Sequence, residues 1–278
     1  MSALLTVENL NVRFPTPAGV VEAVRGVSFS MGREKLAIVG ESGSGKSVTG
    51  RALMGLVAPP GQVSAQRLVF DGTDLAQARP AAFRKLRGKR IGLVMQDPKF
   101  SLNPVQRVGD QIAESLCLHA GVSGAVARSR ALAMLEAVQI SDPERVYRAW
   151  PHELSGGMAQ RAMLSMMLVA EPDLLIADEP TSALDVTVQL EILAILDEQI
   201  RRRGMGLIFI SHDLRLVSRF CDRVLVMYAG RVVETIAAAD LAHARHPYTQ
   251  GLYRCLPDLD RPSKPLPVLQ RDPAWLTA

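Results

Sequence analysis

Eight residues near the amino terminus carry the strongest structural signal in this sequence, and they read Gly40-Glu41-Ser42-Gly43-Ser44-Gly45-Lys46-Ser47. An apolar run at residues 35–39 precedes them and a helical pattern over residues 46–56 follows, which is the strand–loop–helix context of a phosphate-binding loop. The three glycines let successive backbone N–H groups turn inward with no Cβ in the way, and the helix directs its positive dipole end to the same point. The pattern predicts a nucleotide site, with Lys46 at the β- and γ-phosphates and the Ser47 hydroxyl as a ligand of Mg²⁺.

The composition is that of a globular protein of one or two domains. The chain has 278 residues, 48% of them hydrophobic, with 32 Lys and Arg against 28 Asp and Glu, which excludes disordered and collagen-like classes. A net charge of +4 from scattered basic residues argues only weakly for nucleic acid as the main ligand, and a basic surface near an anionic membrane is compatible with it. Three widely spaced cysteines exclude a disulfide framework and favour a reducing, cytosolic setting. The longest apolar stretch, 162–177, contains acidic residues, so no segment is expected to cross a membrane.

Strand and helix patterns alternate along most of the chain, which predicts an α/β fold with a largely parallel sheet and helices on both faces. The predicted strands are 5–13, 20–29, 35–39, 67–70, 91–95, 174–177 and 207–210, followed by a hairpin over 224–228 and 231–236. The predicted helices are 46–56, 80–86, two pieces within 108–138, 158–170, 186–203 and 214–220. Residues 108–138 have the character of an inserted helical unit. The proline-rich end, 257–278, predicts an extended tail.

Two acidic residues, Asp178 and Glu179, directly follow the apolar strand 174–177. Desolvation of a carboxylate at a buried strand end is unfavourable unless a cation neutralises the charge, and Mg²⁺ at a nucleotide supplies that cation. We therefore expect Asp178 to hold the metal or its water shell. Glu179, one residue further, is predicted to act on a water in line with the γ-phosphate.

A second glycine loop at residues 154–161 reads Leu154-Ser155-Gly156-Gly157-Met158-Ala159-Gln160-Arg161 and resembles the signature motif of ATP-binding cassette (ABC) proteins. Five further motifs are similar to those of the family and stand in family order: Walker A at 40–47, the Q-loop at Gln96, Walker B at 174–179, the D-loop at 182–185 and the switch histidine at His212. The resemblance implies a P-loop NTPase of ABC type, with a RecA-like, mostly parallel sheet core, an antiparallel β subdomain and an inserted helical subdomain. It places the ATP-binding domain at 1–256, the helical subdomain at 97–158 and a proline-rich tail at 257–278.

Local sequences narrow the resemblance to one branch of the family. Residues 96–98 with 101–104, residues 176–180 with 183–189, and His246-Pro247-Tyr248-Thr249 resemble the ATPase subunits of bacterial dipeptide, oligopeptide and nickel importers. Met158 stands where the wider family usually has Gln, and similar signatures occur in that branch. The resemblance implies an ATPase that energises uptake of peptides or related small solutes. The alternative is a soluble ABC ATPase that acts on nucleic acid or ribosomes.

The site residues implied by the resemblance fall into three sets, in a protein that uses ATP and Mg²⁺. The catalytic set is Glu179, His212 and Gln96, and the metal set is Ser47, Gln96 and Asp178. The ATP-binding set is Phe14, Gly40, Glu41, Ser42, Gly43, Ser44, Gly45, Lys46, Ser47, Val48, Ser155, Gly156, Gly157 and Asp185. Two of these residues have structural alternatives: Phe14 can stack on adenine or pack within the β subdomain, and Asp185 can cap a helix as well as lie at a dimer interface.

The resemblance also implies partners and a location. Two cassettes pair head to tail, so that ATP lies between the phosphate loop of one and the signature loop of the other. A heterodimer with a related chain is favoured, and a homodimer is the alternative. The further partners are two membrane permease subunits, with coupling helices docking near 97–104 and 108–118, and, indirectly, an extracytoplasmic solute-binding protein. No nucleic acid is expected, and the chain is placed peripherally at the cytoplasmic face of the inner membrane.

Overall fold

The computed structural model describes residues 3–95, 101–182 and 184–256, together with Leu269, Asp272 and Trp275. The chain forms two compact units. The first contains Met1–Phe83 and Ile208–Ala278, and the second contains Arg84–Leu207. The domain boundaries expected from the sequence, including the helical subdomain at 97–158, stay predictions.

The regular elements follow the alternation predicted from the sequence. The strands are β1 Leu5–Thr16, β2 Gly19–Met31, β3 Lys35–Val39, β4 Gln62–Ser64, β5 Arg67–Phe70, β6 Thr73–Asp74, β7 Ile91–Val94, β8 Leu174–Asp178, β9 Gly206–Ile210, β10 Arg223–Tyr228 and β11 Arg231–Ala237. The helices are α1 Lys46–Leu53, α2 Pro80–Leu86, α3 Val108–Ala120, α4 Gly124–Ala137, α5 Pro143–Arg148, α6 Gly156–Leu168, α7 Val186–Arg203, α8 Leu214–Phe220 and α9 Pro247–Arg254. Two short 3₁₀ helices are Pro151–Glu153 and Ala238–His243.

The first unit contains an antiparallel sheet in the strand order β2-β1-β5-β6, with β4 also paired to β1. The β1–β2 register runs from Leu5 opposite Met31 to Thr16 opposite Gly19. Residues 5, 7, 10 and 12 of β1 are buried while intervening residues are more exposed, as expected for a sheet with one covered face. The antiparallel β part of the expected fold is confirmed, although β4 and β6 were not predicted.

The phosphate loop of the first unit begins at the end of a buried strand. Strands β11, β10, β3 and β9 are neighbours in that order, and β9 crosses the boundary between the units. The β10–β3 pair is parallel, from Arg223 opposite Leu36 to Val226 opposite Val39. Residues 36–39 of β3 are inaccessible to solvent, which explains why they are all apolar.

The second unit combines a parallel strand pair with a group of helices. Strands β7 and β8 pair from Ile91 opposite Leu174 to Val94 opposite Ala177, and α3, α4, α5 and α6 pack on one another. Four apolar residues of this helical region are fully or almost fully buried, and these are Leu116, Ala131, Leu135 and Val138. Within residues 3–95, 101–182 and 184–256, no helix combines the length and the apolar character needed to cross a membrane.

Candidate nucleotide site

The phosphate loop needs glycine at two positions because the backbone approaches it too closely for a side chain. A Cβ on Gly40 would lie 2.2 Å from the Met227 carbonyl oxygen, and a Cβ on Gly45 would lie 2.4 Å from the Ala23 carbonyl oxygen. Gly43 differs, because its φ is +82° but a Cβ there would meet nothing within 4 Å. The requirement at residues 40 and 45 is therefore one of space and conformation together, and at residue 43 one of conformation alone.

The polar groups of the phosphate loop suit an anionic ligand. Lys46, only 6% exposed, donates from Nζ to the carbonyl oxygens of Gly40 and Glu41, both at 2.8 Å. The buried Ser44 hydroxyl has no hydrogen-bond partner among the described residues, although the Ser44 carbonyl accepts from the backbone N–H of Gly230 at 3.0 Å. Buried polar atoms are almost always paired in native proteins, so a cradle with an unpaired hydroxyl and a buried ammonium group fits bound phosphate oxygens.

The acidic residues of the second unit stand where β8 ends. All five residues of β8 are buried, and Asp178 is 9% exposed. The next residue, Glu179, has φ of +48°, a left-handed conformation that costs a non-glycine residue about 1–3 kcal/mol and is concentrated at functional sites. Its carbonyl oxygen accepts from the backbone N–H and the hydroxyl of Ser182 at 3.3 and 3.2 Å. The side-chain amide of Gln160 donates to the Pro180 carbonyl, so the turn after the acidic pair is held on both sides.

The second glycine loop opens α6 with an exposed helix N-terminus. The Ser155 hydroxyl caps α6 by accepting from the Met158 backbone N–H at 3.3 Å. Ser155 and Gly156 are both exposed, and a Cβ on Gly156 would meet nothing within 4 Å. Gly157 is more restricted, because its Cβ would lie 3.0 Å from Cγ1 of Val188 on α7. The exposed loop therefore presents the backbone N–H groups and the positive dipole end of a helix N-terminus, which is a favourable arrangement for an anion.

Comparison with known proteins agrees with this geometry. Residues 24–182 match the family model described as ABC transporter. The chain belongs to the ABC transporter family. The oligopeptide transport ATP-binding protein OppD of Bacillus subtilis is 47% identical over 94% of this chain and 74% of its own length. The dipeptide transport ATP-binding protein DppD of Escherichia coli is 46% identical over 92% of this chain and 79% of its own length.

Solved ABC structures support the fold. A bacterial ABC transporter cassette, MJ0796, in a dimeric structure has a TM-score of 0.75 and 25% identity, over 84% of this chain and 98% of that one. The protein cbiO1 of Clostridium perfringens has a TM-score of 0.73 and 29% identity, over 87% and 92%. As an ABC ATPase, the chain binds ATP with Mg²⁺ and hydrolyses it. The relatives support the transport interpretation of the sequence and not the alternative of a nucleic-acid or ribosome ATPase.

The predicted site residues of this ABC chain are divided between the two units. The first unit contains Phe14, residues 40–48 and His212, and the second contains residues 155–157, 178–179 and 185. Within the phosphate loop, Glu41, Ser47 and Val48 are half-buried, and Ser42 and Gly43 are exposed. Gln96 lies outside the described residues. The role of each of these side chains in the ABC site stays a prediction.

The neighbours of His212 fix the backbone around it, and Asp185 is itself a helix cap. His212 is exposed and follows β9. Its neighbour Ser211 donates its backbone N–H to the Ile38 carbonyl of β3 at 3.2 Å, and Asp213 caps α8 through its carboxylate. Asp185 caps α7 by accepting the backbone N–H groups of residues 187 and 188, both at 3.0 Å. The helix-cap interpretation of Asp185 is confirmed, and it leaves the interface role open because the residue is exposed.

Phe14 is half-buried on β1, opposite Val21 of β2. A Cβ on Gly61 would lie 2.7 Å from Cε1 of Phe14, so the ring packs against the turn at Gly61. This contact agrees with packing inside the β sheet, and the ring remains partly accessible for a base. Stacking on adenine stays a prediction.

The sequence interpretation missed one residue at the phosphate loop. The backbone N–H of Glu41 donates to the hydroxyl of Tyr248 at 3.0 Å, although the two residues are 207 positions apart in the chain. From the sequence, the motif at residues 246–249 indicates only the importer branch. The tyrosine of this motif was the one sequence feature that pointed to a polar contact, because a buried tyrosine usually brings its hydroxyl to a polar partner.

Proposed function

We propose that this chain is the ATP-hydrolysing subunit of a bacterial ABC importer and that it energises uptake of peptides or related small solutes through a membrane permease. The observation that carries the proposal is the 46–47% identity, over 92–94% of the chain, to relatives named for oligopeptide and dipeptide transport. The solute is recognised by an extracytoplasmic binding protein and the permease, and this chain contributes the energy of ATP.

The proposed assembly contains a second ABC ATPase and two permease subunits, at the cytoplasmic face of the inner membrane. A related chain is the favoured partner, and a second copy of this chain is the alternative. The exposure of Ser155, Gly156 and Asp185 supports pairing, because a helix N-terminus that reaches solvent can accept a phosphate from another chain. The permease is proposed to contact residues 97–104 and 108–118.

ATP is proposed to be held by the phosphate loop. Lys46 and the unpaired Ser44 hydroxyl would contact the phosphates, and Phe14 would meet the adenine. Ser47, Asp178 and Gln96 would hold Mg²⁺, which when bound neutralises phosphate charge. Oxygen donors of this kind are the ligands that Mg²⁺ prefers, so the residues present fit the ion.

Hydrolysis is proposed to depend on Glu179 and His212. The Glu179 carboxylate would accept a proton from the water that attacks the γ-phosphate, and His212 would hold that phosphate in place. The Ser155 hydroxyl and the N–H groups after it would bind the γ-phosphate of ATP held by the partner. Because ADP lacks this group, ATP favours the closed pair and hydrolysis reopens it. Gln96 would transmit the change to the segment that faces the permease.

The role of Glu179 is tested by Glu179→Gln in the purified chain. We expect the ATPase rate to fall by about a hundredfold or more while MgATP still binds, because the amide cannot accept the proton. Glu198→Gln is the matched control, since Glu198 is an exposed residue of α7 outside the proposed site. Equal turnover of wild type and Glu179→Gln would contradict the assignment.

The transport role is tested by purifying the tagged full-length chain from detergent-solubilised membranes of its source organism. We expect two permease subunits and a second cassette to co-purify with it. Reconstituted into liposomes with the binding protein, the complex should hydrolyse ATP faster when a mixture of short peptides is present. Co-purification of ribosomal proteins or nucleic acid in place of permease subunits would contradict the proposal.

A further inference from the structure

The motif at residues 246–249 opens α9, and three of its four residues are buried, although the proposed function does not use them. The His246 ring accepts the backbone N–H of Tyr248 at Nδ1, at 3.2 Å. The carboxylate of Glu234 accepts the backbone N–H groups of Arg245 and His246 at 2.7 and 3.3 Å. These contacts hold the start of α9 in place and, with it, the Tyr248 side chain.

Tyr248 reaches the phosphate loop at one particular peptide unit. The tyrosine is fully buried, and its hydroxyl accepts the Glu41 backbone N–H at 3.0 Å. The carbonyl of the same peptide belongs to Gly40 and accepts from Lys46 Nζ at 2.8 Å. One peptide plane is therefore held from opposite edges, by an ammonium group on one side and a phenol on the other.

Nucleotide binding is expected to affect these two hydrogen bonds differently. Lys46 is the group expected to contact the phosphates, and an ammonium has three donors to divide among the carbonyls and the ligand. A phosphate oxygen competes with the Gly40 carbonyl for these donors, so the Lys46 hydrogen bond is the restraint on this peptide that nucleotide binding can weaken. The phenol of Tyr248 lies at the other edge of the peptide and keeps its hydrogen bond. Gly40 has φ of +149° and no Cβ to restrict it, so the peptide needs an external restraint.

Tyr248 packs in an aromatic cluster with Tyr228 and Trp275. The Tyr248 ring centroid lies 4.6 Å from that of Tyr228 and 5.4 Å from that of Trp275, and the Tyr228 and Trp275 centroids are 5.5 Å apart. Such separations are those of favourable aromatic pairs. Trp275 is 8% exposed, while most of the tail expected over residues 257–278 lies outside the described residues.

The same cluster meets the phosphate loop at a second point. Tyr228 directly follows Met227, whose carbonyl oxygen occupies the space a Cβ on Gly40 would need. A displacement of the aromatic cluster would therefore reach the phosphate loop in two ways. It would shift Met227 of β10 against Gly40, and it would shift Tyr248 of α9 away from Glu41. The tail residue Trp275 contacts both of these aromatic supports.

We infer that Tyr248 is a positioning residue for ATP binding and that Trp275 holds it there, so that the carboxy-terminal segment and the phosphate loop are coupled. Tyr248 preserves the orientation of the Gly40–Glu41 peptide when Lys46 turns to the phosphates. The inference rests on the ATP site of the proposed function but not on the identity of the solute or the permease.

The first test compares the affinity of full-length variants for MgATP by titration calorimetry. Tyr248→Phe keeps the ring and removes the hydroxyl, and we expect the dissociation constant to rise about fivefold, the value of one net hydrogen bond of ~1 kcal/mol. Tyr253→Phe is the matched control, because Tyr253 lies on the same helix and is 37% exposed, and it should leave the affinity unchanged. Circular dichroism verifies that each variant is folded.

The second test uses Trp275 as a reporter. The chain has two tryptophans, so Trp150→Phe leaves Trp275 as the only fluorophore of its kind. We expect MgATP to change Trp275 emission with the dissociation constant found by calorimetry, and the change to be much reduced when Tyr248→Phe is added. A merely structural tyrosine would leave this optical response intact.

A third variant tests the coupling to the tail. Trp275→Ala should weaken MgATP binding about as much as Tyr248→Phe, and the double variant should be no more than about twofold weaker than either, because the two residues act in series. Unchanged MgATP affinity in Tyr248→Phe, or Trp275 emission indifferent to MgATP, overturns the inference. A wild-type chain that binds no MgATP would instead overturn the proposed function, so the two failures are distinct.

Discussion

Replacing Gly40 by alanine tests whether the phosphate loop is built by close backbone approach. The added Cβ would lie 2.2 Å from the Met227 carbonyl oxygen and 2.8 Å from the Ser44 hydroxyl oxygen, at φ of +149°. The nearer contact is with backbone, which cannot rotate away as a side chain can. Overpacking costs about 1–3 kcal/mol and the positive φ about 1–2 kcal/mol, so the folded state should lose ~2–5 kcal/mol.

The matched control is Gly43→Ala in the same loop. Its Cβ would meet nothing within 4 Å, and only the φ of +82° opposes it, so the expected loss is about 1–2 kcal/mol. At about 2–4 °C per kcal/mol for a chain of this size, these losses correspond to a fall in Tm of ~4–20 °C for Gly40→Ala and ~2–8 °C for Gly43→Ala.

The assay is thermal unfolding followed by circular dichroism, with and without saturating MgADP. Wild type should be stabilised by the nucleotide, and Gly40→Ala should gain little, because a displaced loop binds it weakly. Equal Tm values for the two variants would refute the reasoning, since the contact with Met227 is what separates them. The reasoning would also be refuted if MgADP raised the Tm of Gly40→Ala as much as it raises the Tm of the wild type.

Two further predictions concern a helix cap and a buried thiol. Asp185→Ala should lower the free energy of unfolding by ~1 kcal/mol in urea denaturation, because the backbone N–H groups of Thr187 and Val188 lose their cap. Asp185→Asn should retain most of that stability, because an amide oxygen can also cap a helix. An equal loss in both variants would mean that charge and not capping is responsible. Burial raises the pKa of the Cys221 thiol to about 12, with Lys35 opposing the shift, so less than about one thiol in a thousand is ionised at pH 8. Iodoacetamide at pH 8 should therefore label the exposed Cys117 first, and mass spectrometry that finds Cys221 labelled as fast would contradict its burial.

Most of the regular structure could be predicted because its signals are local. The run at β3 is continuously apolar and stops at Gly40, which is the pattern of a strand buried on both faces. The exposed Asp185 precedes the helical periodicity of α7, and a capping side chain is a local start signal. The strand β4 was not predicted, because residues 62–64 are exposed and carry no alternation. Their strand character comes from pairing with β1, which lies about fifty residues earlier.

The candidate site also contains features that the local sequence predicted and features that it did not. Residue types and spacing identified the phosphate loop, Asp178, Glu179 and the second glycine loop, because phosphate and Mg²⁺ chemistry restricts which residues can serve. The left-handed backbone at Glu179 was not visible in the sequence, since turn residues other than glycine do not announce a positive φ.

The amino-acid sequence by itself determined two things about this protein. It determined the chemistry, through a phosphate-binding loop and an acidic pair after a buried strand, and it determined the fold class, through an alternation of strands and helices. Only the tertiary structure decided what supports that chemistry, as in the contact between Glu41 and Tyr248 and the place of Trp275 beside Tyr228. The physical reason is that backbone conformation and metal chemistry act over a few neighbouring residues. A hydrogen bond between residues 207 positions apart depends on how the whole chain packs.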